Sequence, residues 1–374
     1  MSVLKQYNES TSEWEAVVIG KQGPSGTVAV TAPLTNTGTS TAAVLGFDYA
    51  SAQDGKNILI NGGFDIWQRG TTHAGQFNAA SYTADRWVIF RSLAGNYTLS
   101  RQASDVPGMN YFARFQRTSG DTSVSNIYLI RTFESLQDVT PLQGKTITVS
   151  FSARKGANFS GDNLLAQIEF GGGTDTASLT QPSSATVTTP TYSLSASWQR
   201  YSTTVTVPSN ATAARMFWHW LPTGTAGAND YFDIASVQVE IGAVATPFKR
   251  NAPSIQGELA ACQRYYYRAG NPSTSNGMIA SSGFTYNSSV ASCFINFPVQ
   301  MRAIPTSIDF SAPSTFRIWA GATGDFTPGV VSWGGETSTT VGYVGTNTSG
   351  LTSGQFAFII QRGTGAFIGF NAEL

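Results

Sequence analysis

The sequence is short of charge, of histidine, of cysteine and of long apolar runs, and each shortage removes a class of function. Charged residues make up 12% of the 374 residues, about half of the roughly 25% usual in globular chains. Lys plus Arg and Asp plus Glu are 22 each, so the formal net charge is +0, and no long-range field draws the chain to nucleic acid or to anionic lipid. Its two histidines, His73 and His219, cannot form an HExxH zinc site, and with two cysteines they cannot complete a Cys/His cluster. Cys262 and Cys293 are too few for a disulfide scaffold and read as buried thiols in a reducing compartment, with a bridge between them as the alternative. No stretch reaches the ~18 apolar residues of a membrane span, so no membrane insertion is expected. The opening MSVLKQYNESTSEWEAVVIG lacks the basic and apolar regions of a secretory signal. There is also no GxSxG elbow, no phosphate loop ending in Gly-Lys-Ser/Thr and no strand-linked GxGxxG.

Gly, Ser, Thr and aromatic residues fill the space that charge leaves, a composition suited to short strands and tight turns. The length allows two or three domains, since single cores rarely exceed about 250 to 300 residues. Residues 1–56 do not read as self-sufficient. Leu4, Trp14 and Val17 to Ile19 suit a small hairpin, which needs a partner surface for stability. Gly20, Gly23 and Gly26 recur at the spacing of a collagen-like repeat, but two triplets serve equally as a flexible linker. The segment is expected to be an extended anchor that docks on a partner or on sister subunits.

From Asn57 to about Phe248 the strand signal is strong. Ile147, Val149 and Phe151 alternate with Thr146, Thr148 and Ser150, the period of two of a half-buried strand. Asn57 to Trp87 and Asp230 to Phe248 read as the opening and closing strands of one sandwich, with Val237, Val239 and Ile241 inward and Gln238 and Glu240 outward. Many short strands between Gly-rich turns imply a two-sheet jelly roll over 57–250. One helix follows, capped by Ser254, with Ile255, Leu259, Cys262 and Tyr266 on one face and Glu258 in the first turn, where the macrodipole favours an acid. It stops by Gly270, or earlier if Tyr265 to Tyr267 begin a strand. Alternating runs and glycine turns from Gly277 to Leu374 predict a smaller β-sandwich. The fold class is therefore all-β: an extended anchor at 1–56, a jelly roll at 57–250, then a short helix and a C-terminal sandwich in 251–374.

Candidate chemistry is sparse. A glycosidase needs two carboxylates about 5 to 9 Å apart, which Asp65, Asp85, Asp162, Glu169 and Asp233 could supply, yet none lies in a motif that asks for an acid, and no catalytic residue is assigned. A structural calcium held by Asp65, Asp233 and backbone carbonyls is open, beside the simpler reading of carboxylates bonded to turn amides. No other cofactor is expected. Aromatic rings are plentiful, and flat rings beside amides can stack on the C–H faces of sugars. Trp67 and Trp87 sit in alternating strands and suit the core, where a tryptophan buries on the order of 200 Å². In Arg215 to Leu221, Met216, Trp218 and Trp220 alternate with Phe217 and His219, so Trp218, His219 and Trp220 cannot all face one core. That stretch is the candidate carbohydrate platform.

The pieces NILINGGFDIWQRG, YTADRW, VQVEIGAVATPFKR, ELAACQRYYYR and FPVQMRAIPT stand in the order seen in bacteriophage tail-fibre and virion-associated proteins. In those, a jelly roll similar to carbohydrate-binding modules precedes a helix and a further β-domain. EWEAVVIGKQGPSG resembles the entry of cyanophage fibres. The resemblance implies a homotrimeric, non-enzymatic virion component assembled in the host cytoplasm. Residues 1–56 would contact other virion proteins, and the partner outside would be host cell-surface polysaccharide. It carries no catalytic residues. The reduction of the collagen-like repeat to two triplets departs from a long fibrous shaft. A head-fibre, decoration or tail-assembly role and a polysaccharide depolymerase are the alternatives.

Overall fold

The computed structural model describes residues 55–374 except 77–80, 92–95, 107, 162, 177–189, 271–274 and 323, with the backbone of six short strands among residues 1–54. The chain divides into two compact units, Met1–Gly55 and Lys56–Leu374. In the first, three antiparallel pairs form: β1 (Lys5–Asn8) with β2 (Glu13–Ala16), β3 (Lys21–Gln22) with β4 (Val28–Ala29), and β5 (Leu34–Asn36) with β6 (Leu45–Phe47). The three glycines of the collagen-like reading lie outside the described residues.

The second unit is all-β apart from one helix and short turns, and it holds two hydrophobic cores. The first core lies between two six-stranded antiparallel sheets. Their strands are β7 (Thr72–Gln76), β8 (Ser81–Tyr82), β9 (Val88–Arg91), β10 (Asn96–Ala103), β11 (Tyr111–Arg117), β12 (Ile127–Thr132), β13 (Thr146–Lys155), β14 (Leu164–Gly171), β15 (Thr191–Tyr192), β16 (Gln199–Thr206), β17 (Ala213–Trp220) and β18 (Tyr231–Ile241). One sheet runs β16-β13-β18-β11-β10-β7 and the other β15-β14-β17-β12-β9-β8. β8–β9, β10–β11 and β14–β15 are hairpins within one sheet while the other consecutive strands cross between sheets, and the alternation of Ile147, Val149 and Phe151 aims these side chains into the core. Arg117 and Asp230, both fully buried, pair at 2.8 Å at one end of the sandwich, where Arg117 also donates to the carbonyls of Asp121, Ser123 and Gly224.

Asn57 to Gly70 is not a strand. It is an irregular loop in which Asn61 and Phe64 take positive φ, and its polar residues point inward. The Asn57 side chain donates to Val237 O and Lys249 O and accepts from Leu59 N and Val239 N, all at 3.0 Å. Asn61 donates to Ile66 O and Asp85 O and accepts from Ile66 N. The loop lies against β18 so closely that a Cβ on Gly62 would meet Val237 O at 2.0 Å. Gln238 and Glu240, expected in solvent, are fully buried instead, because Thr246 and Lys249 fold over them and bond to their side chains.

Helix α1 (Ile255–Gln263) starts where Ser254 predicts, with the Ser254 hydroxyl accepting from Gly257 N at 3.1 Å. Its buried face is Glu258 and Cys262, while Ile255 is exposed and Leu259 half-buried. Glu258 accepts from Asn61 N and Ala252 N, so its carboxylate pins the helix to the loop rather than facing water at the helix start. Burial pushes the Glu258 pKa up against the pull of those amides.

Tyr266 begins the C-terminal part. Its strands are β19 (Tyr266–Ala269), β20 (Met278–Ala280), β21 (Ser282–Thr285), β22 (Val290–Asn296), β23 (Ser307–Phe310), β24 (Phe316–Ala320), β25 (Gly324–Phe326), β26 (Val330–Ser332), β27 (Val341–Asn347), β28 (Ala357–Gln361) and β29 (Ile368–Asn371). Two four-stranded sheets, β20-β28-β24-β25 and β21-β22-β27-β26, enclose the second core, and a three-stranded sheet β19-β29-β23 joins them. Cys262 and Cys293 are free and buried, and burial raises both thiol pKa values. The two sandwiches are bonded together through Arg86 and Arg69 to Glu373, Arg264 to Glu134, Arg302 to Asp175 and Tyr82 to Leu374 O.

Candidate functional site

The strand proposed as a sugar platform has its tryptophans on the wrong side for that role. Trp218 is 1% exposed and Trp220 0%, both inside the sandwich. Trp218 packs against Trp87 and Phe151, and Trp220 against Phe159 and Phe232. Central strands of this sheet carry apolar residues on both faces, so alternation alone left the choice of side open, and the larger rings fill the core. Trp67 and Trp87 are core residues as expected. His219 alone of the three lies on the outer face.

That outer face is where the remaining aromatic residues gather. Strand register sets Leu165, His219, Tyr128 and Phe90 side by side across β14, β17, β12 and β9. Gln167, Phe217, Ile130 and Val88 form the next row, and Glu169, Arg215 and Thr132 the third. Tyr128 is the centre. Its ring stacks on the His219 imidazole at 5.2 Å and 18°, and meets Phe90 at 5.9 Å and Phe217 at 6.1 Å. Tyr128, Phe90 and His219 are half-buried, so the row is a partly open surface of rings.

The polar groups sit beside the rings in a self-neutralised set. Arg215 Nε donates to Glu169 Oε2 at 2.5 Å, Gln167 Nε2 donates to Glu169 Oε1 at 2.5 Å, and the Arg215 guanidinium lies 4.8 Å from the Phe217 ring centre. His219 differs. Both of its ring nitrogens are buried and have no hydrogen-bond partner, and burial lowers its pKa, so the imidazole is neutral at pH 7. A neutral imidazole offers one donor and one acceptor, the complement of a hydroxyl that does both. A buried polar group without a partner costs free energy.

The other sequence candidates are engaged elsewhere. Asp233 is held between Arg114 and Arg154, with contacts of 2.8 Å from each Nε, and Asp65 is held by Arg250 at 2.8 Å and by Asn110 at 3.2 Å. The oxygens proposed for calcium are therefore taken by guanidinium and amide groups, and among the described residues no cluster of three or more His, Cys, Asp or Glu side chains is placed to hold a metal. Asp85 is buried and accepts from Gln68, and burial pushes its pKa up to about 6. Asp162 lies outside the described residues. Among the described candidate acids, Glu169 alone lies on the aromatic face.

No family profile matches the chain, and no curated protein does. Among solved structures, the chain is similar to the enzymatically active domain of tailspike protein 4 of bacteriophage CBA120, at 12% identity and a TM-score of 0.30 over 50% of this chain. It spans 22% of that protein. It is also similar to a family 4 carbohydrate-binding module, at 19% identity and a TM-score of 0.28 over 49% of this chain and 98% of the module. A third similar structure is the module TmCBM61 in complex with β-1,4-galactotriose, at 12% identity and a TM-score of 0.29 over 50% of this chain and 99% of the other.

Proposed function

We propose that this chain is a non-enzymatic glycan-binding protein of a virion, a tail fibre or receptor-binding protein that attaches the particle to neutral polysaccharide on the host surface. The observation that carries the reading is the Phe90, Tyr128, His219 row with its two unpartnered imidazole nitrogens. Rings supply stacking area, Gln167 and His219 supply hydrogen bonding, and the Glu169–Arg215 pair leaves the face without net charge, as an uncharged ligand requires. The virion setting rests on the sequence pieces named above, with residues 1–56 as the contact to other virion proteins. Binding rather than hydrolysis is the reading because Glu169, the acid on this face, is bonded to both Arg215 and Gln167.

A test is direct. Purified protein presented with host surface polysaccharides should bind at least one neutral glycan. Tyr128→Ala should weaken that binding about tenfold, equivalent to about 1.4 kcal/mol, with the unfolding midpoint nearly unchanged. His219→Phe, which keeps a ring and removes both nitrogens, should weaken it comparably. Absence of binding to any host polysaccharide, or Tyr128→Ala binding as tightly as the native protein, would sink the reading.

Weak sites become effective when copies are linked, because the second contact is made at a high effective concentration. We infer that copies of this chain associate through the outer face of β20-β28-β24-β25. Met278 is 55% exposed and Phe356 51%, while Phe284 of β21, which bridges to Phe356, is 44% exposed, and half-buried Phe358 and Ile360 on β28 and Trp319 on β24 continue the patch. Arg317, Asp325 and Arg362 set both signs of charge at its rim, as one copy facing another requires. An exposed apolar cluster with a polar rim has the make-up of an interface. Light scattering should report three copies for the native chain and one for Phe284→Ser combined with Phe356→Asp. A native monomer would refute the assembly.

A further inference from the structure

Between the two sandwiches a cleft of 470 Å³ is lined by Trp67, Gln68, Gly70, Thr71, Arg268 and Gly270. Its volume falls within the roughly 300 to 1,000 Å³ of small-molecule sites. We propose that it is a second binding site, separate from the aromatic face, and that it takes a sugar bearing a carboxylate.

The argument starts from Arg268. Its guanidinium lies 3.6 Å from the Phe367 ring centre, and Nη1 donates to Gln68 O at 2.7 Å, so the group is fixed in place at the cleft wall. It forms no ion pair with a carboxylate among the described residues, whereas neighbouring Arg69 is paired with Glu373. Arginine carries five N–H donors in a planar fork, and one of them is committed. The rest form a rigid acceptor-seeking edge suited to a planar carboxylate. Asp309, in the same register row of the sheet β19-β29-β23, accepts from the Tyr266 hydroxyl instead.

Trp67, 8% exposed, also lines the cleft. Trp67 is held by its Nε1, which donates to Phe64 O at 2.7 Å, and by stacking on His73 at 6.2 Å. Burial lowers the His73 pKa, and Arg69 lowers it further, so His73 is neutral at pH 7 and Arg268 is the cation that lines the cleft. A Cβ at Gly70 would meet no atom within 4 Å, so the cleft is open on that side. A ring with C–H groups for the exposed edge of the indole and a carboxylate for the guanidinium matches both lining groups at once, which a neutral sugar or a bare anion does not.

Galacturonate and galactose differ by the group at issue and serve as probes with the full chain. Galacturonate should bind at least tenfold more tightly than galactose at low salt, and raising the salt should weaken it. Arg268→Gln should lower galacturonate affinity tenfold or more. Since Arg268 also ties the two sandwiches together, Thr71→Glu provides a second arm: it puts a competing carboxylate at an exposed position and leaves every Arg268 contact intact. It should lower affinity to a similar extent. Tyr128→Ala should leave galacturonate binding unchanged, which separates this site from the aromatic face and lets either stand if the other fails. Equal affinity for the two sugars, persistence of binding in both cleft variants, or loss in Tyr128→Ala would overturn the proposal. So would displacement of galacturonate by an equal concentration of inorganic phosphate, which would mark a general anion site.

Discussion

Replacing Asn57 by alanine should lower the stability of the unit Lys56–Leu374 by about 3 kcal/mol or more, since three buried backbone groups at about 1 to 3 kcal/mol each, and a fourth that is part-buried, lose their partner. The groups are Val237 O, Lys249 O, Leu59 N and Val239 N, and the Asn57 side chain serves all four from a fully buried position. A truncated side chain of that depth leaves no route for bulk water to replace the amide. Asn57→Asp should give no rescue: it keeps the acceptor for Leu59 N and Val239 N, but it faces two carbonyl oxygens with a buried charge. Denaturant unfolding followed by tryptophan fluorescence measures the effect, and a loss below about 1 kcal/mol would show that the amide is not the hub the geometry describes. The consequence reaches beyond stability. The same loop carries Trp67, Gln68 and Gly70 to the cleft, so loosening its root should also loosen that wall.

Asn57 also shows which part of the fold was legible in the sequence. Where one face of a strand is covered and the other is wet, apolar alternation reports it, and Ile147, Val149 and Phe151 lie in the core as their spacing predicts. Ser254 likewise marks the helix start, because a cap is a local bond that needs no tertiary context. NILINGGFDIW has the same alternation for another reason. Leu59 and Phe64 face the core and Ile58 packs against it, but Asn57 and Asn61 also face inward and bond to backbone, and a pattern that equates polar with solvent reads the loop as a strand. Gln238, Glu240 and Glu258 mislead in the same way, since the segments that bury them are far from them along the chain or fold back over them.

The candidate face was half legible. That Met216, Trp218 and Trp220 oppose Phe217 and His219 follows from a period of two, but the side that faces the core is decided by the second sheet, which the sequence does not display. Once the side is known, register does the rest, and Tyr128 and Glu169 join Phe217 and His219 from strands about 50 to 90 residues away. The ion pairs that occupy Asp65 and Asp233 are long-range as well: their partners Arg250 and Arg114 come from other strands or from the far end of the domain. No local spacing announces them.

The ion pair at the chain's penultimate residue should be the other large effect. Glu373→Gln is expected to cost about 3 to 5 kcal/mol, the range for removing one partner of a buried pair. The side chains of Arg86 and Glu373 are 1% and 2% exposed. Burial is the largest single influence on Arg86 and pulls its pKa down, yet Glu373 together with Tyr265 and Tyr82 outweighs it and the net shift is upward. Arg131, beside it, is also fully buried, and burial together with Arg86 pushes it down to about 10. Glu373 is therefore the counter-charge for a pair of crowded guanidiniums, and it bonds Arg69 as well at 3.3 Å. Glutamine keeps the shape and removes the charge, so Arg86 and Arg131 would repel with Asp138 as the nearest remaining acid for Arg131. If charge is the cause, Arg86→Met combined with Glu373→Gln should recover most of the loss, because it removes the uncompensated cation rather than restoring the anion. Thermal and denaturant unfolding of the two single variants and the double variant decide between these accounts. Additive losses in the double variant would mean that Arg86 acts mainly through its stacking on Tyr265, at 3.5 Å, and that the ion pair contributes little to holding the two sandwiches together.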